Sequence, residues 1–313
     1  MCCLPVFHGV YKVRFPSSDR TFMTAFLNRF PQRVLCVGFI FALSISSALW
    51  AKDSSGEANQ PDSEVSRPWL MVSLTQDLWS RAGRHAFSVI TELSGNHNGL
   101  NIHFSQVTPE LIADKRPAFI ILSPQGTPWC RYSGESGVAL QNFLWMLPLL
   151  AEEYNIPILG ICGGHQALAL GFGGKVGPIR GGEDDCLPYS KDRQSGVVPL
   201  KVTTTDPLFS GVDGELRIRQ SHYDEVKVLP KGFVVLATDR LCPIQIMRHS
   251  DRPVYGIQGH PEYFSGTRPD GRILIKNFLD IARTHNKTLR QAWQYIPAQV
   301  LLCQEPIRDL SGH

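Results

Sequence analysis

The sequence contains no C-x-x-C pair, no G-x-x-x-x-G-K-[ST] or G-x-G-x-x-G loop and no internal repeat. The first absence argues against a structural zinc site, the second against a nucleotide-binding half carried on this chain, and the third against a solenoid. Charge is also sparse: 19% of residues are charged, the net charge is +3, and the basic residues form no stripe. A nucleic-acid partner is therefore not expected. Cysteine is present but does not form a framework. Cys2, Cys3 and Cys36 lie near the start, leaving Cys130, Cys162, Cys186, Cys242 and Cys303 widely spaced. That remainder fits one free reactive thiol better than a disulfide scaffold. With 313 residues and 43% hydrophobic content, the chain can bury a sizeable core as one large domain or two small ones.

Long apolar runs are limited to one, Val34 to Trp50, which follows Arg29 and Arg33 and precedes the polar Lys52-Asp53-Ser54-Ser55. Positive charge, then an apolar stretch, then a polar exit is the order of a secretory signal. The run sits at the lower limit of the roughly 17 to 25 residues that span a bilayer, so cleavage and retention are both compatible with it. Residues 1–51 are therefore expected to be a signal peptide or membrane-anchor leader, with Met23 an alternative start, and residues 52–67 a polar linker. The chain would then be exported, periplasmic or secreted, or membrane-anchored, with the leader as its sole membrane contact. A buried core helix or a misassigned start is the competing reading, and a misassigned start implies a cytoplasmic protein. Asn286-Lys287-Thr288 matches a glycosylation sequon, which matters only for a secreted eukaryotic chain.

From Pro68 onward short apolar runs alternate with longer amphipathic ones, the pattern of β-α units and a largely parallel sheet. Strands are expected at Trp69–Leu74, Asn101–Val107, Phe119–Leu122 and Ile156–Ile161. Helices are expected at Arg81–Leu93, Pro109–Lys115, Val138–Tyr154 and Gly164–Leu170. The second half changes to short strands at Val197–Thr203, Leu216–Arg219, Phe233–Thr238, Ile244–Met247 and Val254–Gln258, which implies an antiparallel or mixed edge. Helices over Ile273–Thr284 and Leu289–Trp293 close the chain, with 68–284 taken as the domain and 285–313 as a helical extension or tail.

The sharpest local feature is Gly160-Ile161-Cys162-Gly163-Gly164-His165-Gln166, placed between an apolar strand and a helix. A G-x-C-x-G turn in that context is the thiol counterpart of the nucleophile elbow: small neighbours permit a sharp bend that lifts the reactive side chain above the sheet. The helix N-terminus favours a thiolate, and its unpaired N–H groups can bind an oxyanion. A thiolate attacking an amide also needs a proton carrier, itself oriented by a third group. His260-Pro261-Glu262 offers both, since residues two apart on an extended segment share a face and Pro261 stiffens them.

GICGGHQ and YGIQGHPE, with Gln220-Ser221-His222-Tyr223-Asp224-Glu225-Val226 between them, resemble the glutaminase domain of class I glutamine amidotransferases, the domain found in GMP synthetase and anthranilate synthase. The resemblance covers about residues 68 to 284 and implies a three-layer, flavodoxin-like α/β fold with a mostly parallel sheet. It further implies Cys162 as nucleophile, His260 as general acid and base, and Glu262 as the residue orienting it. Gln166 would help hold the substrate. Ser221, His222 and Tyr223 would bind its α-amino and α-carboxylate end, largely through backbone atoms. The oxyanion hole would combine the Gly163 N–H with one from the loop after the third strand. No metal or cofactor is implied.

That loop departs from the family's S-G-G-P-G form. It reads Ser123-Pro124-Gln125-Gly126-Thr127-Pro128, and because Pro124 has no N–H, the donor would be Gln125 or Gly126. Gly259, where the family usually has an aromatic residue, is expected to open space beside the triad. His165 reads as a packing residue, Glu183-Asp184-Asp185 as a solvated turn, and Trp129 and Trp145 as core or rim aromatics. Three functions remain open on the sequence: a glutaminase passing ammonia to a separate synthetase subunit, an exported γ-glutamyl hydrolase, and a catalytically silent ligand-binding member of the fold.

Overall fold

A strand with helices on both faces must be apolar on both faces, and the run Trp69-Leu70-Met71-Val72 has that character. The computed structural model describes residues 67–76, 81–183, 185 and 192–294. In it β1 (Trp69–Ser73), β2 (Gly99–His103), β3 (Ile120–Leu122), β4 (Ile158–Ile161) and β11 (Val254–Ile257) pair in parallel in the order β2-β1-β3-β4-β11. The antiparallel strands β10 (Ile246–His249), β9 (Phe233–Thr238), β6 (Gln194–Val202) and β7 (Leu216–His222) continue the same nine-stranded sheet beyond β11. This is the mostly parallel sheet with an antiparallel edge that the sequence pattern implies.

Side chains alternate between two apolar layers. Leu70 and Val72 pack with Phe143 and Leu147 of α3 (Gly134–Glu152) and with Leu168 of α4 (Gly163–Gly171). Trp69 and Met71 pack on the opposite face with Ile90 of α1 (Arg81–Ser94) and with Leu274 and Phe278 of α5 (Asp270–Gln294). Between β2 and β3 lies the short α2 (Pro109–Lys115). Thr108 caps it by accepting from the Leu111 N–H at 3.2 Å, and it closes at Arg116 in the left-handed region (φ 44°).

The structure corrects several expected bounds. β2 begins at Gly99 and not Asn101, because Gly99 lies in register with Trp69, where a Cβ would sit 2.5 Å from the indole. A glycine that reads as a turn is there a strand residue yielding to an aromatic ring. β5 (Lys175–Pro178) and β8 (Asp224–Val228) pair into a separate two-stranded sheet that the local pattern does not announce. The two C-terminal helices are one, α5, running unbroken through the expected boundary at residue 284. The polar residues that read as a break in it are tied to the body: His285 Nε2 lies 3.0 Å from the Asn155 carbonyl, and the Asn286 amide donates to the Ala118 carbonyl at 2.8 Å. Asn286 is buried, so the sequon does not present an accessible acceptor. Among the described residues no helix is long and apolar enough to cross a membrane. The expected leader, 1–51, and nearly all of the expected linker lie outside those residues.

Candidate active site

Adjacent parallel strands end side by side, and in open α/β sheets ligands bind beyond their carboxyl ends. The order β3-β4-β11 therefore brings together the loop after Leu122, Cys162 and the segment Gln258–Glu262. Cys162 has φ 51° and ψ −104°, a conformation costing an L-residue on the order of 1–3 kcal/mol. Its N–H donates to the Ile257 carbonyl at 2.8 Å, and its carbonyl accepts from the Gln166 N–H at 3.2 Å, which pins the bend from both sides.

The flanking glycines are required by close approach. A Cβ on Gly160 would lie 2.4 Å from the Gly164 carbonyl oxygen, and one on Gly164 would lie 2.3 Å from the Leu122 carbonyl oxygen. Both obstacles are backbone, so neither can swing aside. Gly164→Ala is expected to lower stability by at least about 2 kcal/mol, measured by denaturant unfolding. An unchanged unfolding midpoint would contradict this account of the elbow.

His260 and Glu262 meet, but not as an extended pair. β11 ends at Ile257, and the Tyr263 N–H donates back to the His260 carbonyl at 3.2 Å, making a turn with Pro261 at its second position. The turn sets His260 Nδ1 2.8 Å from Glu262 Oε1, with both side chains buried. Burial opposes charge on His260, but the Glu262 carboxylate and the Cys162 sulfur, which is also within hydrogen-bonding reach, outweigh it and hold the imidazolium well above its ordinary range. The imidazole thus lies within reach of the Cys162 sulfur while Nδ1 meets the Glu262 carboxylate.

Gly259 does not open space beside this group. A Cβ there would lie 2.9 Å from the Arg219 carbonyl and 2.6 Å from the Ile218 side chain, and the neighbouring His260 N–H donates to that same Arg219 carbonyl at 2.7 Å. Its small size lets β7 close against the end of β11. In the loop after β3, Gln125 is the residue brought to the elbow, its backbone nitrogen 2.9 Å from where a Gly163 Cβ would be. A Cβ on Gly126 would meet no atom within 4 Å.

The expected substrate residues lie close by but are heavily engaged within the protein. Gln166 accepts from Trp129 Nε1 at 2.7 Å and donates to the Asp224 carbonyl at 2.8 Å and to Gln258 Oε1 at 3.2 Å. His222 is held between the Asp224 carbonyl (2.9 Å) and Gln194 Oε1 (2.8 Å), and burial pushes it down to about 4, so it is neutral near pH 7. Ser221 accepts from Arg193 Nη2 at 2.5 Å, and the same guanidinium lies over the Tyr223 ring at 5.5 Å.

Sequence reasoning missed Gln258, which is fully buried and donates through Nε2 to Cys162 Sγ at 3.9 Å. Trp129, read as a core or rim aromatic, also donates its indole N–H to Gln166. His165 is fully buried, and burial pushes it down to about 3, so it stays neutral, as a packing residue should. Among the described residues two thiols are free, Cys162 and Cys242, where one was expected. The second, Cys242, is pushed well above the ordinary thiol range by burial, then by Glu225 and Asp239, which disfavours it as a nucleophile. No cluster of His, Cys, Asp and Glu among the described residues could hold a metal ion. A cavity of about 600 Å³ lies at the antiparallel edge against Pro199, Thr238 and Arg240, and none of Cys162, Gln166, Gln258, His260 and Glu262 lines it.

A family model for glutamine amidotransferase class-I matches residues 94–281. The glutamine-hydrolysing GMP synthase subunit of Pyrococcus abyssi is 39% identical over 169 residues, covering 54% of this chain and 78% of that protein. The protein of the same name from Methanothermobacter thermautotrophicus is 33% identical over 183 residues, covering 58% of this chain and 89% of that one. The solved structure of a putative GMP synthase subunit from Thermoplasma acidophilum superposes with a TM-score of 0.54 at 24% identity, covering 71% of this chain and 98% of that one, a likeness of fold. By the extent of the family match and by the identity to these relatives, the chain belongs to the class I glutamine amidotransferases, enzymes that hydrolyse glutamine.

Proposed function

We propose that this enzyme cleaves the γ-carboxamide of glutamine through a cysteine thioester and passes the ammonia to a separate synthetase subunit. The observation that carries the chemistry is the buried Cys162, His260, Glu262 constellation at the ends of β4 and β11. The Cys162 thiolate attacks the γ-carbonyl, and the resulting oxyanion is held by the N–H groups of Gly163 and Gln125. His260, protonated in the resting pair, gives its proton to the departing amine, and ammonia leaves as the carbonyl reforms. His260 then takes a proton from water, which attacks the thioester and releases glutamate, returning the sulfur to thiolate. Glu262 holds the imidazole in position throughout. Ser221 and Tyr223 flank the α-end of the substrate, where the Arg193 guanidinium adds positive charge beside the carboxylate. A separate acceptor is supported by the relatives' description as one subunit of GMP synthase.

A second reading, an exported γ-glutamyl hydrolase, draws on one further observation: Cys130 is disulfide-bonded, as favoured in oxidising compartments. The charge-then-apolar start supports the same reading. Ammonia or amine release from glutamine and from γ-glutamyl peptides, measured on the full chain, separates the two. Glutamine is expected to be the better donor by at least about tenfold in kcat/KM, since the family hydrolyses glutamine. Faster cleavage of γ-glutamyl peptides would transfer the assignment to the hydrolase.

A further inference from the structure

An amide side chain at the reacting sulfur helps or harms depending on which end faces it, and the structure fixes that choice. The indole N–H of Trp129 can only donate, so the Gln166 atom 2.7 Å from it must be the oxygen. The Gln166 NH2 group is then turned the other way, where two acceptors await it: the Asp224 carbonyl at 2.8 Å and one end of the Gln258 amide at 3.2 Å. That end of Gln258 must be its oxygen, leaving its NH2 group 3.9 Å from Cys162 Sγ. Gln258 is fully buried and Gln166 nearly so, which gives neither amide water with which to trade partners.

We infer that Trp129, Gln166 and Gln258 form a relay of fixed polarity that delivers an N–H to the Cys162 sulfur, making Gln258 a catalytic residue and Trp129 and Gln166 positioning residues. The inference rests on the reading of Cys162 as nucleophile. A donor at the sulfur favours its ionised form and fixes the direction from which it receives a proton, whereas the opposite flip would set a carbonyl oxygen against a thiolate. His260 supplies charge and Gln258 supplies direction.

The test is iodoacetamide alkylation of the full chain, followed on the Cys162 peptide by mass spectrometry, for wild type, Gln258→Met and Trp129→Phe. Gln258→Met removes the donor at similar volume. Trp129→Phe removes only the N–H that fixes the flip, leaving both amides present, so it keeps the test decisive if the first variant folds poorly. At about pH 6, alkylation is expected to slow about tenfold for Gln258→Met and about threefold for Trp129→Phe, with both deficits closing as the pH is raised above about 9. Wild-type rates in both variants, or a deficit equal at every pH, would overturn the relay. Failure of the nucleophile assignment shows itself separately, as unchanged glutamine turnover by Cys162→Ala.

Discussion

Cys162→Ala is expected to fold normally and to lose glutamine hydrolysis by a factor on the order of 10⁴ or more in kcat/KM. The loss is large because, among the described residues, no other thiol is suited to form the thioester: Cys242 is fully buried and strongly disfavoured as a thiolate. Folding should survive because the backbone bonds that pin the bend involve the Cys162 N–H and carbonyl, which alanine retains. Alanine leaves the strain at φ 51° in place and removes one buried sulfur, so the unfolding midpoint should move by no more than a few degrees. Ammonia release and thermal unfolding, measured together on the same preparation, check both halves. A folded variant that still turns glutamine over within tenfold of wild type would remove Cys162 from the chemistry.

Glu262→Gln is expected to lower kcat/KM by about 10² to 10⁴ while leaving KM nearly unchanged. The replacement is close in shape, and its amide oxygen can still accept from His260 Nδ1, so the turn and the imidazole orientation persist. What disappears is the buried negative charge. Burial already works against the imidazolium, and Glu262 and the Cys162 sulfur together overcome it. With Glu262 neutral, the balance tips toward the uncharged ring. The sign follows: His260 loses its proton at lower pH in the variant, so the alkaline limb of the kcat/KM profile moves to lower pH. Wild-type activity within threefold and an unmoved alkaline limb would contradict the role given to Glu262.

Most of the parallel half of the fold was legible because its strands carry continuous apolar runs separated by amphipathic helices, a pattern that is local. The elbow was legible for the same reason: Gly160, Cys162 and Gly164 lie within five residues, and the steric demand for small neighbours acts between them. His260 and Glu262 were found through their spacing, although a turn and not an extended strand brings them together. What stayed hidden depends on partners distant in the chain. β8 finds its partner in β5, and neither is apolar enough to announce itself. Gly259 looked like an opening and is a contact, because β7 closes on it from a part of the sequence roughly forty residues away. The Trp129–Gln166–Gln258 relay joins residues 37 and 92 positions apart before reaching a sulfur 96 positions from Gln258. No window of sequence contains such a network.

The most direct measurement is labelling of the full chain with a diazoketone analogue of glutamine, with residual ammonia release and peptide mass mapping followed on the same samples. The account predicts a single adduct on Cys162, activity falling in proportion to it, and protection by glutamine. Full labelling at another residue, or hydrolysis that continues unchanged once Cys162 is modified, would contradict it.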